Sequence, residues 1–421
     1  MKGNAEQPIG VDLFAGAGGL SLGFERAGFR VAAAVEYDPI HAATHEYNFP
    51  DCATICRSVA DIDGDYIRTH SDIGKADIDV VFGGAPCQGF SMIGKRALDD
   101  PRNHLVYHFV RVVSELKPKY FIFENVRGLT LGEHKKFLGE IIVEFKAKGY
   151  KVEEDYQVLN ALNFGVPQDR QRLFLMGARR GQHLPEYPSQ THGLPGANLD
   201  LGFTKTTPTV WDALGDLPEA DDYEELLERD WVEADFAKPS PYAKLLRFGT
   251  GKTRNLLTSS LRTIHTALSQ RRFKATAAGE TEPVSRFLKL DPMGVCNTIR
   301  AGTASDRGAF TSPRPIHPFS PRCITVREAA RLHSYPDWFR FHVTKWHGFR
   351  QVGNSVPPLL GQAVASKIME RVGRKVDSDE PRAVGDSVLL ECNMSDAAAR
   401  YGVAANVIPH RIRKEAGKAN G

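Results

Sequence analysis

Short apolar runs alternate with longer helical patterns over residues 9–180. Ile9–Phe14 reads as a buried strand. It leads into Ala15-Gly16-Ala17-Gly18-Gly19, after which Leu20, Phe24 and Ala27 recur at helical spacing. Val31–Val35 is the next strand, closed by Glu36, and Asp38-Pro39 pairs an N-cap with a proline at the first helical position. Ile78–Phe82 is apolar again and is stopped by Gly83-Gly84-Ala85-Pro86. The spacing predicts helices over 103–117 and 133–148, the second stopped by Gly149. Strands are expected at Tyr120–Phe123, ending in Glu124-Asn125, and at Leu173–Met176. Such alternation predicts an α/β fold, a mostly parallel doubly wound sheet with helices on both faces.

The pattern then breaks. Residues 181–218 are rich in Pro, Gly and Thr and read as loops. Regularity resumes near residue 322, where Thr325-Val326-Arg327-Glu328 has capping-box spacing and opens a helix. A further helix is expected from Leu359 to about Val372. Residues 373–421 read as a polar tail, open to disorder, with one short apolar run at Val388–Leu390. There is no internal repeat.

Composition adds bounds. With 421 residues, 42% hydrophobic and 25% charged, the chain has the balance of a globular protein and ample length for a core. The net charge of +3 excludes a uniformly basic coat but hides opposing patches. Residues 219–235 carry nine acids and one base, and residues 236–300 carry twelve bases and three acids. Cys52, Cys56, Cys87, Cys296, Cys323 and Cys392 form no tight cluster, which predicts a reducing compartment. The start, MKGNAEQPIGVD, lacks a signal-peptide core, and no run of about 18 apolar residues follows. A soluble cytoplasmic protein with no membrane partner is expected. His41 and His45 lie one helical turn apart with Cys52 and Cys56 after them. No paired CxxC supports zinc, so surface histidines, core cysteines and no metal are expected.

Several motifs carry chemistry. The glycine loop Asp12–Gly19 sits between a strand and a helix, where free N–H groups and missing side chains admit a ligand. Glu36 ends the next strand, placed for ribose hydroxyls. The dinucleotide fingerprint wants a third glycine where this chain has Ser21, so the pairing alone fits a nicotinamide or an adenosyl cofactor. Pro86-Cys87-Gln88 holds a cysteine just past a strand's carboxyl end, where open α/β sheets bind ligands. A buried apolar cysteine is the plainer reading of that residue by itself. Glu124-Asn125-Val126 ends another strand; Gln168-Asp169-Arg170-Gln171-Arg172 precedes one and puts both arginines on one face. Gly353-Asn354-Ser355-Val356-Pro357-Pro358 is a rigid helix entry.

Together and in this order, these elements resemble the motifs of the DNA (cytosine-5)-methyltransferases, of the bacterial restriction–modification type. Asp61-Ile62 is similar to that family's adenine-holding motif, and Thr298-Ile299-Arg300-Ala301-Gly302 to one that follows its recognition region. The resemblance covers roughly residues 8–372, departs at Ala85, where the family usually has proline, and leaves out the tail. It implies a Rossmann-like methyltransferase sheet with a smaller inserted target-recognition domain. The expected division is 8–180 catalytic and cofactor-binding, 181–297 recognition, 298–372 catalytic again and 373–421 tail. It further implies S-adenosyl-L-methionine held by Phe14, Gly16, Gly18, Glu36, Tyr37, Asp61, Ile62, Pro86, Leu105, Asn354, Ser355 and Val356.

The chemistry suits these residue types. Cytosine C5 is a poor nucleophile until a thiolate adds at C6, and Cys87 supplies one. The attack drives electrons toward N3, where Glu124 serves as the acid, with a raised pKa. Arg172 orients the base, supported by Arg170; no residue is assigned to removal of the C5 proton. The target must flip from duplex DNA, held by Gln88, Ser91, Arg271, Arg272, Lys274 and Arg300. A cognate endonuclease is a possible second partner, and a monomer is expected. Three other readings are weaker. A tRNA methyltransferase of the same family would carry a Cys-Phe-Thr triplet, and the nearest here is Cys323-Ile324-Thr325. An inactive DNA-binding regulator would not need Cys87, Glu124 and Arg172, and a nicotinamide oxidoreductase would not need Pro86-Cys87-Gln88.

Overall fold

A computed structural model describes residues 7–86, 104–132, 134–194, 203–247, 255–302, 314–373 and 383–408. Strands β1 (Ile9–Leu13), β2 (Arg30–Val35), β3 (Ala53–Ile55), β4 (Val80–Gly83) and β5 (Tyr120–Val126) run parallel. The chain then turns back. β6 (Tyr150–Val152), β7 (Gln157–Asn160) and β8 (Gln171–Arg179) complete an eight-stranded sheet in the order β3-β2-β1-β4-β5-β8-β6, with β7 also on β8. All pairings of β8 are antiparallel.

Alternation along each strand divides the core between two faces. Val11, Leu13, Val81, Phe121 and Phe123 point to one side, where α4 (His104–Leu116) and α5 (His134–Ala147) cover them. Phe82, Ile122, Phe174 and Met176 point to the other, against α1 (Gly19–Arg26). The same alternation sends Asp12, Glu124 and Arg172 to the α1 face. α2 (Pro39–Asn48) and α3 (Gly64–Thr69) follow β2 and β3, and Asp38 caps α2 as its Asp-Pro spelling predicts.

Between β8 and residue 302 the described residues form only short elements, among them α6 (Val210–Leu214), α7 (Pro241–Leu246) and α8 (Ala267–Ala275). Buried ion pairs fasten this region. Arg331 binds Asp216 at 2.9 Å and Asp337 at 2.6 Å, and Arg322 lies 2.6 Å from Glu219 and 2.8 Å from Glu328. Asp230 pairs with Arg340 at 3.3 Å. Glu219, Asp221 and Asp230 of the acidic stretch therefore pack on arginines, while Asp222, Glu224, Glu228, Glu233 and Asp235 are exposed. The chain returns through α9 (Val326–Leu332), with the capping box formed, α10 (Lys345–Asn354) and α11 (Pro358–Val372). α11 lies on α1 with almost no gap: a Cβ on Gly23 would sit 2.7 Å from Gln362 N.

The tail differs from expectation. Residues 383–408 are ordered: a 3-10 turn at Ser387–Leu390 and helix α12 (Met394–Tyr401) dock on α2. The apolar run near 388 supplies the anchor, because Leu389 and Leu390 find a partner face on α2. His41 and His45 also differ, since both are buried rather than on the surface.

Candidate active site

The glycine loop leaves β1 through a left-handed Phe14, φ 63°, followed by Gly16 at 58° and Gly18 at 101°. A non-glycine residue in that region is strained and tends to mark a functional loop. Ala15 N donates to Val35 O at 3.1 Å, tying the loop to β2. Glu36 completes the tie: Oε2 accepts from Gly16 N at 2.7 Å and Oε1 from Asp38 N at 2.8 Å. Burial raises the Glu36 carboxyl, against the pull of nearby His41. A Cβ on Gly16 would meet nothing within 4 Å, so the loop faces open space there. The Gly18 end of α1 carries no side-chain cap, leaving its N–H groups for a ligand. These features fit an adenosyl group.

The other expected cofactor residues stand on several elements. Tyr37 is 40% exposed beside Asp38, Asp61 and Glu36. Ile62 is buried, and its carbonyl accepts from Arg111 Nη2 of α4 at 2.8 Å. The same helix carries a half-buried Leu105. Val356 O and the Ser355 Cβ stand 2.5 and 2.8 Å from where a Cβ on Gly19 would be, so only glycine allows this approach. Asn354, beside them, is exposed.

Beneath the loop lies a buried chain that the sequence did not reveal. Ser21 Oγ donates to Asp12 Oδ2 at 2.6 Å and sits 3.0 Å from His45 Nε2. Burial pushes the Asp12 carboxyl up to about 8 and the His45 imidazole down to about 3. Both are neutral near pH 7, which removes the penalty of buried charge. Asp12 was the one acid in an apolar strand, the only sequence signal for it.

At the carboxyl edge of β5, Glu124 Oε1 meets Arg172 Nε at 3.0 Å, both side chains nearly buried. β8 pairs Arg172 with Val126, which places the guanidinium beside the strand end. Burial raises the Glu124 carboxyl, while Arg172 and then Arg170 pull it back. Its neighbour Asn125 donates from Nδ2 to Ala85 O at 3.1 Å. That bond ties the acid strand to the Ala85-Pro86 segment leading into Cys87. Cys87, Gln88 and Ser91 lie outside the described residues.

Gln168–Arg172 is a hub. Arg170 is fully buried, and Nη1 donates to Ile299 O at 2.8 Å while Nη2 donates to Gly353 O at 2.7 Å and Ser355 O at 2.8 Å. Gln168 donates from Nε2 to Leu332 O at 3.1 Å, and its Oε1 accepts from Ile299 N at 3.1 Å. One pentapeptide thus joins β8 to the two late segments. Arg170 reaches the site through backbone, Arg172 directly.

Arg271 and Lys274 of α8 are exposed, as is Arg300. Arg272 Nε lies 3.5 Å from Glu282. Arg247 and Arg262 pair with Asp216 at 3.5 Å and Asp221 at 3.0 Å, so part of the basic stretch serves the fold. Among the described residues no three His, Cys, Asp or Glu side chains are arranged to hold a metal ion. No described helix is long and apolar enough to cross a membrane.

Comparison with known proteins places this geometry. A family model of the C-5 cytosine-specific DNA methylase matches residues 10–370. The Type II methyltransferase M.XorII of Xanthomonas oryzae pv. oryzae is 61% identical over 418 residues, 97% of this chain and 95% of that relative. M1.HphI of Haemophilus parahaemolyticus is 37% identical over 363 residues, 86% of each. A crystal structure described as a prophage-encoded DNA modification methyltransferase of E. coli has a TM-score of 0.71 at 32% identity, covering 87% of this chain and 100% of its own. The chain therefore belongs to the C-5 cytosine-specific DNA methylase family, and its activity is transfer of a methyl group from S-adenosyl-L-methionine to C5 of cytosine in DNA.

Proposed function

We propose that Cys87 is the nucleophile of this transfer, with Glu124 and Arg172 completing the site for a cytosine flipped out of a specific duplex sequence. The observation that carries the reading is the Glu124–Arg172 pair at 3.0 Å, joined through Asn125 to the residue two before Cys87. The Cys87 thiolate adds to C6, and the displaced electrons reach N3, where the raised Glu124 carboxyl donates a proton. Arg172 holds the carboxylate and presents its remaining N–H groups to the base's O2. When bound, S-adenosyl-L-methionine supplies an electrophilic methyl group above C5. C5 takes that methyl group, with S-adenosylhomocysteine as the leaving group; loss of the C5 proton then expels the Cys87 thiolate, and the N3 proton returns to Glu124, which restores the ring. The Phe14–Gly19 loop, Glu36, Tyr37 and the Asn354–Val356 turn would hold the cofactor.

Residues 181–297 serve as the recognition unit, its exposed Arg271 and Lys274 facing phosphates or guanines, joined by the exposed Arg300 of the catalytic segment that follows. The enzyme works as a cytoplasmic monomer that protects DNA from an endonuclease of the same specificity. The test uses labelled methyl donor and mixed-sequence duplex DNA. Cys87→Ala abolishes transfer and leaves S-adenosylhomocysteine binding intact. Retained turnover by that variant removes Cys87 from the role. Bisulfite sequencing of DNA from expressing cells reads the modified context, and gel filtration reads the oligomeric state.

A further inference from the structure

The segment after α11 lies beyond the family match, which ends at residue 370, yet it is built onto the cofactor edge. Leu389 and Leu390 are buried with Ala43 and Tyr47 of α2. Gly385 N donates to Tyr47 O at 2.7 Å. Farther along, Arg400 Nη2 reaches Glu46 Oε1 at 2.5 Å and the Tyr401 hydroxyl donates to Glu46 Oε2 at 2.6 Å. All of these fall on the helix that begins two residues after Tyr37.

From α12 the chain turns at Gly402, φ 59°, and comes back toward the start of α2. Arg57 Nη1 donates to Tyr401 O at 3.0 Å. Val407 N donates to Ala404 O at 3.0 Å, a tight turn that presents the Val407 carbonyl. The Tyr37 hydroxyl donates to that carbonyl. The Cys56 thiol reaches Tyr37 O at 3.9 Å. The ring of Tyr37 is thus held at its backbone by one segment and at its hydroxyl by another.

We propose that residues 383–408 form a clasp that positions the Tyr37 ring for the cofactor, so that Val407 and Arg57 act as positioning residues of the cofactor site. The proposal rests on the reading that the Glu36–Tyr37 edge receives the adenosyl group. A half-exposed aromatic ring left free must lose rotamer freedom when a ligand packs on it, and fixing it beforehand removes that loss. The gain for one such side chain is about two- to tenfold in affinity. Covering the apolar face of α2 alone would not require a bond to Tyr37.

Two variants separate these roles. Tyr37→Phe keeps the ring and removes its tether. A chain ending at Ala404 keeps α12 with its contacts to Glu46 and removes the Val407 carbonyl. Each is expected to weaken S-adenosylhomocysteine binding about two- to tenfold by calorimetry and to raise the cofactor KM alike. The DNA KM and the thermal midpoint stay at their full-chain values. The double variant loses no more than either single one. Binding unchanged in either variant, or losses that multiply, overturns the clasp. Glu36→Ala is the control for the underlying reading. If it binds S-adenosylhomocysteine as the full chain does, the cofactor edge itself is misplaced. If it alone loses affinity, only the clasp fails.

Discussion

Replacing Arg170 tests how the site is fastened. Its two terminal nitrogens donate three hydrogen bonds, to Ile299, Gly353 and Ser355, from a fully buried position. Bonds to a charged group contribute roughly 1.5–3 kcal/mol each, so three amount to about 4.5–9 kcal/mol before desolvation is subtracted. Burial opposes the charge, as the lowered pKa of this arginine shows, so the net figure is smaller. Arg170→Ala also leaves the Ile299 and Gly353 carbonyls without this donor, while Ser355 O keeps His333 Nε2 at 3.1 Å, and breaking such an arrangement from one side costs about 3–5 kcal/mol. Against a typical stability of about 5–15 kcal/mol, the variant remains foldable at low temperature. Arg170→Lys keeps the charge but not the planar fork, and recovers about half of the loss. Urea unfolding followed by circular dichroism gives both numbers, provided the m-value is unchanged. Cofactor affinity should fall with them, because Ser355 and Val356 press on Gly19. A loss under about 1 kcal/mol for Arg170→Ala would refute the reasoning, since the Ile299 and Gly353 carbonyls would then have other partners.

Two further outcomes follow from the geometry. Gly84→Ala places a Cβ 2.4 Å from Glu124 Oε2 and must push the carboxylate off Arg172. Methyl transfer should drop at least about tenfold, or ~1.4 kcal/mol in the barrier, with the thermal midpoint nearly unchanged; an active variant would place Glu124 outside the chemistry. Glu328, beside Arg322, is held down at about 2 from an ordinary 4.5. Its folded pKa is depressed, so its contribution of about 3 kcal/mol is present above pH 4.5 and lost as the pH falls toward 2. Glu328→Gln should flatten the stability curve in that window, and an unchanged acid profile would show that the pair contributes nothing.

What the sequence disclosed follows the physics of each element. β1, β2, β4 and β5 are buried on both faces, so their apolar runs stand out. β3 and β6 span three residues each and carry too few positions for any period to show. The antiparallel direction of β8 was also hidden, since alternation of side chains is the same in either direction. Glu124 and Arg172 were legible as charges at strand ends, yet their contact depends on a register that only pairing sets. For Arg170 the spacing suggested a partner for Arg172. Its carbonyl acceptors lie 129 to 185 residues away and leave no local trace. The tail hid its docking for a similar reason: two leucines suffice once Ala43 and Tyr47 wait on another helix.

The Gln168–Arg172 hub has a consequence for how the enzyme comes into being. Its acceptors at Gly353 and Ser355 are synthesised 183 and 185 residues after Arg170. At roughly 5–20 residues per second, a ribosome takes on the order of 10–40 s to cover that interval. Throughout it the nascent chain holds the glycine loop, Cys87, Glu124 and both arginines, but lacks the turn that closes against Gly19. Closure of the glycine loop therefore waits until the Asn354–Val356 turn has been made. A product terminated before that turn keeps the residues proposed to react and still lacks the segment that packs on Gly19.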